Sequence, residues 1–146
     1  MKQSNDEDIS LSDYRALAEF RYQIRRFLHF SEQIARRVGL ESQQHHVLLA
    51  LKGLPPGKQA SISYLAERLQ LQHHSMVELV DRLVERGFVQ RRRDETDQRR
   101  VFVDLTPRGE EVLRELSVHH RAELRSAGPA LVQTLEALIA HNLEQK

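Results

Sequence analysis

At 146 residues, 40% hydrophobic and 29% charged, the chain has the make-up of one ordinary globular domain rather than a disordered or membrane chain. It contains no cysteine, which excludes thiol catalysis, thiol redox sensing and thiolate zinc sites. The formal net charge of +1 conceals an asymmetry, because between Arg86 and Arg100 six arginines stand against three acids. No run approaches the ~20 apolar residues of a membrane span. The opening MKQSNDEDIS does not read as a secretory signal, and a cytoplasmic protein is expected.

Residues 1–9 are polar and aperiodic, and are expected to form a disordered tail ahead of a single domain over residues 10–146. From Leu11 the apolar positions Tyr14, Leu17, Ile24, Phe27, Leu28, Ile34, Ala35 and Val38 recur mostly at helical spacing until Gly39 supplies a stop. A second helix starts near Ser42, buries Val47, Leu48 and Leu51, and ends at Gly53 before the turn-forming LPPGKQ. Ser61 is placed to cap a third helix, ISYLAERL, with Leu65, Ala66 and Leu69 inward. QLQ joins it to a fourth, HHSMVELVDRLVERG, whose stripe is Met76, Leu79, Val80 and Leu83 and whose stop is Gly87.

After Gly87 the period drops to two. Phe88 and Gln90 begin one strand, and Val101, Val103 and Leu105 alternate against Arg100, Phe102 and Asp104 on another, with a charged tip between them. Thr106-Pro107 restores a helix, since Thr caps well and Pro is tolerated at the first helical position. This fifth helix carries Val112, Leu113, Leu116 and Leu124, and Gly128-Pro129 is expected to break it. A sixth then carries Leu131, Leu135, Leu138, Ile139 and Leu143.

The expected fold is therefore mostly α, with six helices and a small antiparallel β-hairpin. Helix, short turn, helix and charged hairpin in that order is the layout of a winged helix-turn-helix over residues 42–106. An Arg/Asp-rich hairpin alone would read equally well as a solvated turn. Its position directly after the helix pair is what favours a DNA-gripping wing. Arginines on such a loop can reach phosphates or a narrow minor groove while the preceding helix enters the major groove.

The stretch LAERLQLQHHSMVELVDRLVERGFVQRRRDETDQRRVFVDLTPRGEEVL resembles the MarR family of dimeric bacterial transcription regulators. The most specific pieces are Leu79-Val80-Asp81-Arg82-Leu83 leading to Gly87, Asp97-Gln98-Arg99 at the wing, and Leu105-Thr106 with Gly109. The resemblance implies a homodimer held by helices over residues 10–38 and 107–146. It implies binding to a pseudo-palindromic double-stranded operator, with repression relieved by a small aromatic or phenolic effector. It also implies that Asp97 orients basic groups and that Arg99 reaches the minor groove. Three positions depart from the family pattern: Gln70 stands where Gly is usual in the turn, Glu41 where a capping Thr is usual, and Glu78 where many relatives carry Arg. Ser42 could take over the cap with a one-residue shift.

The residues expected to contact DNA are Ser61, Gln72, His73, His74, Ser75, Val77, Glu78, Arg82, Arg91, Arg93, Asp97 and Arg99. Gln suits adenine and Ser75 suits a phosphate. Glu78 should either accept from a cytosine amino group or pair with Arg82 four residues on, and the ion pair is favoured. Tyr22, Arg26, His45 and His46 are the candidate effector residues, in a crevice beside the dimer helices. The eight histidines include the pairs His45-His46, His73-His74 and His119-His120. Adjacent helical residues point about 100° apart, so a metal would need donors from different helices, such as His45 or His46 with His119 or His120 and Glu41. A metal-responsive regulator and a winged-helix protein-interaction module are the alternatives. No metal site, cofactor or enzymatic activity is expected: the chain has no phosphate-binding Gly-rich loop, Gly-x-Ser-x-Gly elbow or His-Glu-x-x-His motif.

Overall fold

The computed structural model describes residues 8–144, with side chains to residue 140. Residues 1–7 of the expected tail, and the side chain of Leu143, lie outside the described residues. The order is α1 (Leu11–Arg37), α2 (Ser42–Lys52), α3 (Ile62–Leu69), α4 (His73–Glu85), β1 (Val89–Arg93), β2 (Val101–Leu105) and α5 (Pro107–Glu144). The chain divides into two compact units, with the boundaries inside α1 after Ser31 and inside α5 before His120.

The unit from Glu32 to His119 holds all the buried apolar side chains among the described residues, including Leu40, Val47, Leu48, Leu65, Met76, Val80, Leu83, Val103 and Leu116. The stripe expected on α4 is its buried face, as Met76, Leu79, Val80 and Leu83 are each 4% exposed or less. At that scale of burial each such side chain contributes roughly 1.5–3 kcal/mol relative to leaving it in water. The two strands pair antiparallel with Val89 opposite Leu105 and Arg93 opposite Val101. A single bridge from Ser61 to Phe102, with Val103 N–H donating to Ala60 O at 2.8 Å, ties the lead into α3 to this hairpin.

The caps explain the boundaries. Ser61 Oγ accepts from Tyr64 N–H at 3.1 Å, as its position suggested. The cap of α2 stays at Glu41, whose N–H donates to Gln44 Oε1 at 3.0 Å, so Ser42 is the first helical residue and not the replacement cap. Gln70 occupies the left-handed region at φ 55°, the conformation for which glycine is preferred. Its Nε2 donates to Glu67 O at 2.8 Å, adding a side-chain bond to the carbonyl that its own backbone N–H also reaches, which a glycine could not add.

The break expected at Gly128-Pro129 is absent: five helices, not six, form among the described residues, and Pro129 lies inside α5. Proline removes one donor and crowds the carbonyl four residues back, but it does not stop helical φ/ψ on either side. Here the proline is exposed and the apolar spacing continues through Ala127, Leu131 and Leu138, so the helix resumes the same face. In the unit that ends at Ser31 and resumes at His120, the buried side chains among the described residues are the polar Ser31 and Thr134. Its apolar residues are exposed instead: Leu11, Tyr14, Leu17, Tyr22, Leu28, Leu124, Val132, Leu135 and Ile139 are each at least 41% accessible.

Gly109, in the first turn of α5, faces the backbone at the end of α4. A Cβ built there would lie 2.1 Å from Phe88 O. Gly109→Ala must therefore displace either the wing base or the helix start. The expected cost is at least the ~1–3 kcal/mol of an overpacked core site. Urea unfolding should show a lower midpoint with an unchanged slope, and a variant as stable as wild type would contradict the close approach.

Candidate nucleic-acid interface

The exposed end of α4 is its N-terminus. Gln72 caps the helix with extended backbone but no side-chain bond to it, and Gln72, His73, His74 and Glu78 are exposed with Ser75 and Val77 half-buried. This follows from the period: the buried stripe begins at Met76, so the positions flanking it turn outward. Arg82 is also exposed, one turn beyond Glu78. The ion pair expected between Glu78 and Arg82 does not form among the described residues. An exposed i,i+4 pair is worth only about 0.2–0.5 kcal/mol, too little to hold two long side chains against solvent. Glu78 is thus left as a bare carboxylate on this surface.

The hairpin arginines separate into two groups. Arg91 pairs with Asp81 on α4, which fastens the first strand to that helix. Arg92 Nε donates to Asp104 Oδ2 at 2.8 Å, its Nη2 to Gln59 Oε1 at 3.2 Å, and its guanidinium lies 5.3 Å from the Phe102 ring centroid. The hydrogen bond to the Asp104 carboxylate holds the Arg92 guanidinium above its ordinary pKa. These two cations are engaged by the protein itself. Arg93 makes only a long contact, 3.5 Å, with Gln98 O.

Arg99 behaves differently. Its N–H and its Nε both donate to Asp97 Oδ1, at 3.1 and 3.2 Å, while the side chain remains 92% exposed. Asp97 therefore fixes the root of the arginine and leaves its outer nitrogens to solvent. The turn itself is held by Asp94, whose Oδ1 accepts from Thr96 N–H at 3.1 Å and Thr96 Oγ1 at 3.0 Å, and by Asp94 N–H donating to Arg100 O at 3.0 Å.

Between the starts of α3 and α4 and the return strand of the hairpin lies an open cleft of about 420 Å³, lined by Ser61, Ser63, His73, Arg99, Arg100 and Phe102 among others. The cleft brings together three of the residues singled out from sequence: Ser61, His73 and Arg99. Ser63 and Arg100 were not among the residues expected. Ser63 lies in the first turn of α3 two residues after its cap, and Arg100 reads as one position of the strand alternation, so neither carries a surface signal of its own. The bridge from Ser61 to Phe102 is the long-range contact that makes them neighbours.

Tyr22 and Arg26 lie on α1 in the unit that ends at Ser31, with the Arg26 guanidinium 5.8 Å from the Tyr22 ring centroid. His45 and His46 belong to the other unit. His45 is 4% exposed, His46 is exposed, and their rings lie 5.6 Å apart. No group of three or more His, Asp or Glu side chains placed to hold a metal occurs among the described residues.

Residues 38–100 match the family model described as the MarR family. Among solved structures, AbsC, a MarR family transcriptional regulator from Streptomyces coelicolor, is 22% identical with a TM-score of 0.73, covering 95% of this chain and 99% of its own. RV1404 from Mycobacterium tuberculosis is 23% identical, TM-score 0.69, covering 92% of this chain and 96% of its own. A mutant of MepR from S. aureus bound to an oligodeoxyribonucleotide is 18% identical, TM-score 0.65, covering 94% and 96%. No curated protein sequence matches at a significant level. The fold is thus that of the MarR family transcription regulators, a winged helix-turn-helix with long flanking helices. No helix among the described residues is long and apolar enough to cross a membrane.

The wing turn carries its own acid limit. Hydrogen bonds from the Thr96 N–H and hydroxyl hold the Asp94 carboxylate below its ordinary pKa. A depressed carboxylate contributes order above its unfolded value and loses it as pH falls through the folded one. The Thr96 amide resonance should therefore keep its folded position through the ordinary aspartate range and move only at more acidic pH. Movement at or above that range would show that Asp94 does not hold the turn.

Proposed function

We propose that this chain, whose winged lobe carries the MarR family pattern, is a DNA-binding transcriptional regulator. It acts as a homodimer on a pseudo-palindromic operator, represses transcription there, and is released by a small-molecule effector. The observation that carries the reading is Arg99: a cation rooted on Asp97, 92% exposed, beside a cleft whose other charged members are also basic. A solvated turn has no need to root one arginine on a neighbouring carboxylate while leaving its outer nitrogens to solvent. A phosphate or a narrow minor groove answers them. The cleft favours DNA over a protein partner, since basic side chains that line it without an acid give salt-dependent, sequence-independent grip. Glu78 fits only if it meets a base, because a carboxylate against phosphates is repelled. A cytosine amino group is the acceptor's natural partner.

In this reading Gln72, His73, His74, Ser75, Val77, Glu78 and Arg82 face the major groove and its flanking phosphates. Ser61, Arg91, Arg93, Asp97 and Arg99 serve the backbone and the minor groove. The exposed apolar side chains of α1 and α5 outside the winged lobe support the homodimer, since a unit without a buried apolar side chain gains stability only when a second surface covers it. A two-fold dimer would set its recognition helices about one helical turn, ~34 Å, apart. Light scattering at micromolar concentration should give twice 17.0 kDa, and a species of 17.0 kDa would overturn the dimer.

The effector would be a small aromatic or phenolic compound, with Tyr22, Arg26, His45 and His46 as the residues to test. It would act by binding the DNA-competent and DNA-incompetent shapes with different affinity. The absence of cysteine closes the thiol route to release. A regulator of this kind works where the DNA is, in the cytoplasm, and performs no catalysis.

Arg99→Ala should weaken binding to every duplex and reduce the slope of log affinity against log salt by about one for each wing, the signature of one lost ionic contact. Loss of a preference for A·T flanks alongside it would identify minor-groove insertion. Wild-type affinity across the salt series would contradict the role given to Arg99.

A further inference from the structure

We propose that His73 is a proton-linked phosphate contact: duplex DNA seats a backbone phosphate in the cleft between the starts of α3 and α4 and the wing, and in doing so draws a proton onto His73. The inference rests on the reading of this face as DNA-binding and adds to it a dependence on pH.

The cleft has the chemistry of an anion seat. Two arginines and a histidine line it, together with two serine hydroxyls, and no acid does. Ser61 Oγ already accepts from Tyr64 N–H, which leaves its O–H to donate outward. The nearest acid in sequence on the wing, Asp97, has its Oδ1 engaged by Arg99. Every polar side chain that lines the cleft can donate, and phosphate oxygens only accept.

Within this setting His73 is the one lining group whose charge changes between about pH 5 and 8. Neutral, it offers at most one N–H. Protonated, it offers two and a positive charge. Arg99 and Arg100 face it from the wing. The α3 side contributes no ionisable group, only Ser61, Ile62 and Ser63. On its own helix the neighbours are His74 and, five residues on, Glu78. A phosphate entering the cleft reverses the local field and favours the imidazolium. His74 does not share this position: it follows His73 by about 100° around α4 and is not among the lining residues.

The sign follows from linkage. Because the bound state holds the proton more strongly than the free state, binding takes up protons, and affinity is greatest at the acid side of the histidine range and falls as pH rises through it. A regulator built this way grips DNA more tightly when its surroundings acidify, without any ligand.

The test uses the full chain and a mixed-sequence duplex of about 24 base pairs, at fixed low ionic strength, followed by fluorescence anisotropy. Wild-type affinity should fall about fivefold for each lobe between about pH 6 and about pH 8, the size of one charge-assisted contact. Calorimetry in buffers of different ionisation heat should register proton uptake on binding. His73→Gln keeps a helix former and a donor at the position, so it should fold as wild type does by circular dichroism, yet, whatever its absolute affinity, lose most of the pH response and the proton uptake. His119→Gln, on α5 and outside the cleft, should keep both. A flat wild-type affinity across this range, or an undiminished response in His73→Gln, would overturn the proposal. No binding of the duplex at any pH would instead remove the DNA-binding reading on which it stands, and the proposal with it.

Discussion

The wing and the cleft beside it depend on one junction, where α4 ends, the hairpin begins, the hairpin returns and α5 starts. Thr106 sits at its centre. Its Oγ1 donates to Gly87 O at 2.6 Å and accepts from Gly109 N–H at 3.1 Å, while its own N–H donates to Phe88 O at 3.1 Å. One threonine thus caps α5 and binds the two ends of the hairpin to the exit of α4. Gly87, at φ 77°, turns the chain out of the helix through a conformation that a Cβ would oppose. Gly109 lets the new helix approach the Phe88 backbone closely. Without this closure the wing would be a hairpin of two five-residue strands, a size that is marginal alone.

The direction in which the wing points is set from the same place. Val89 is buried at the base of the hairpin, and Val103, opposite Arg91, is buried on the return strand. After Val89 the burial of the first strand stops abruptly, four consecutive residues being exposed. The arginines therefore begin where the first strand's own burial has ended. Arg91 and Arg92 turn back to the protein, and only farther out does a cation remain available. The surface has a fixed stem and a charged tip because burial and charge change over at the same residue.

Most of this was legible from the sequence because it is written in local rules. The buried stripe of α4, the cap at Ser61, the period change after Gly87 and the Thr106-Pro107 restart all depend on residues within one turn of each other, and the structure has them as read. Gln70 was legible as a departure, and the structure shows its answer, a side-chain hydrogen bond to Glu67 O. The misreadings came from treating local signals as decisive. Gly128-Pro129 looks like a break, but two long helical stretches of matching face outweigh one missing donor. Ser42 looks a better cap than Glu41, but Gln44 reaches back to the Glu41 N–H and settles the start there. The clustering of Ser63 and Arg100 with Ser61 and His73 was not legible at all, since it depends on a bridge between residues 61 and 102 that no period encodes.

The ties that engage Arg92 also bear on the cost of complex formation. Asp104, Gln59 and the Phe102 ring fix this side chain across the two strands, and Asp94 fixes the turn beyond them. A long side chain or loop that must be ordered on association gives up roughly 0.5–1.5 kcal/mol for each rotamer-rich group immobilised. Here much of that freedom is already lost in the unbound protein. Any partner of the hairpin would meet these groups already ordered, so that little of the association energy would go into giving them a shape.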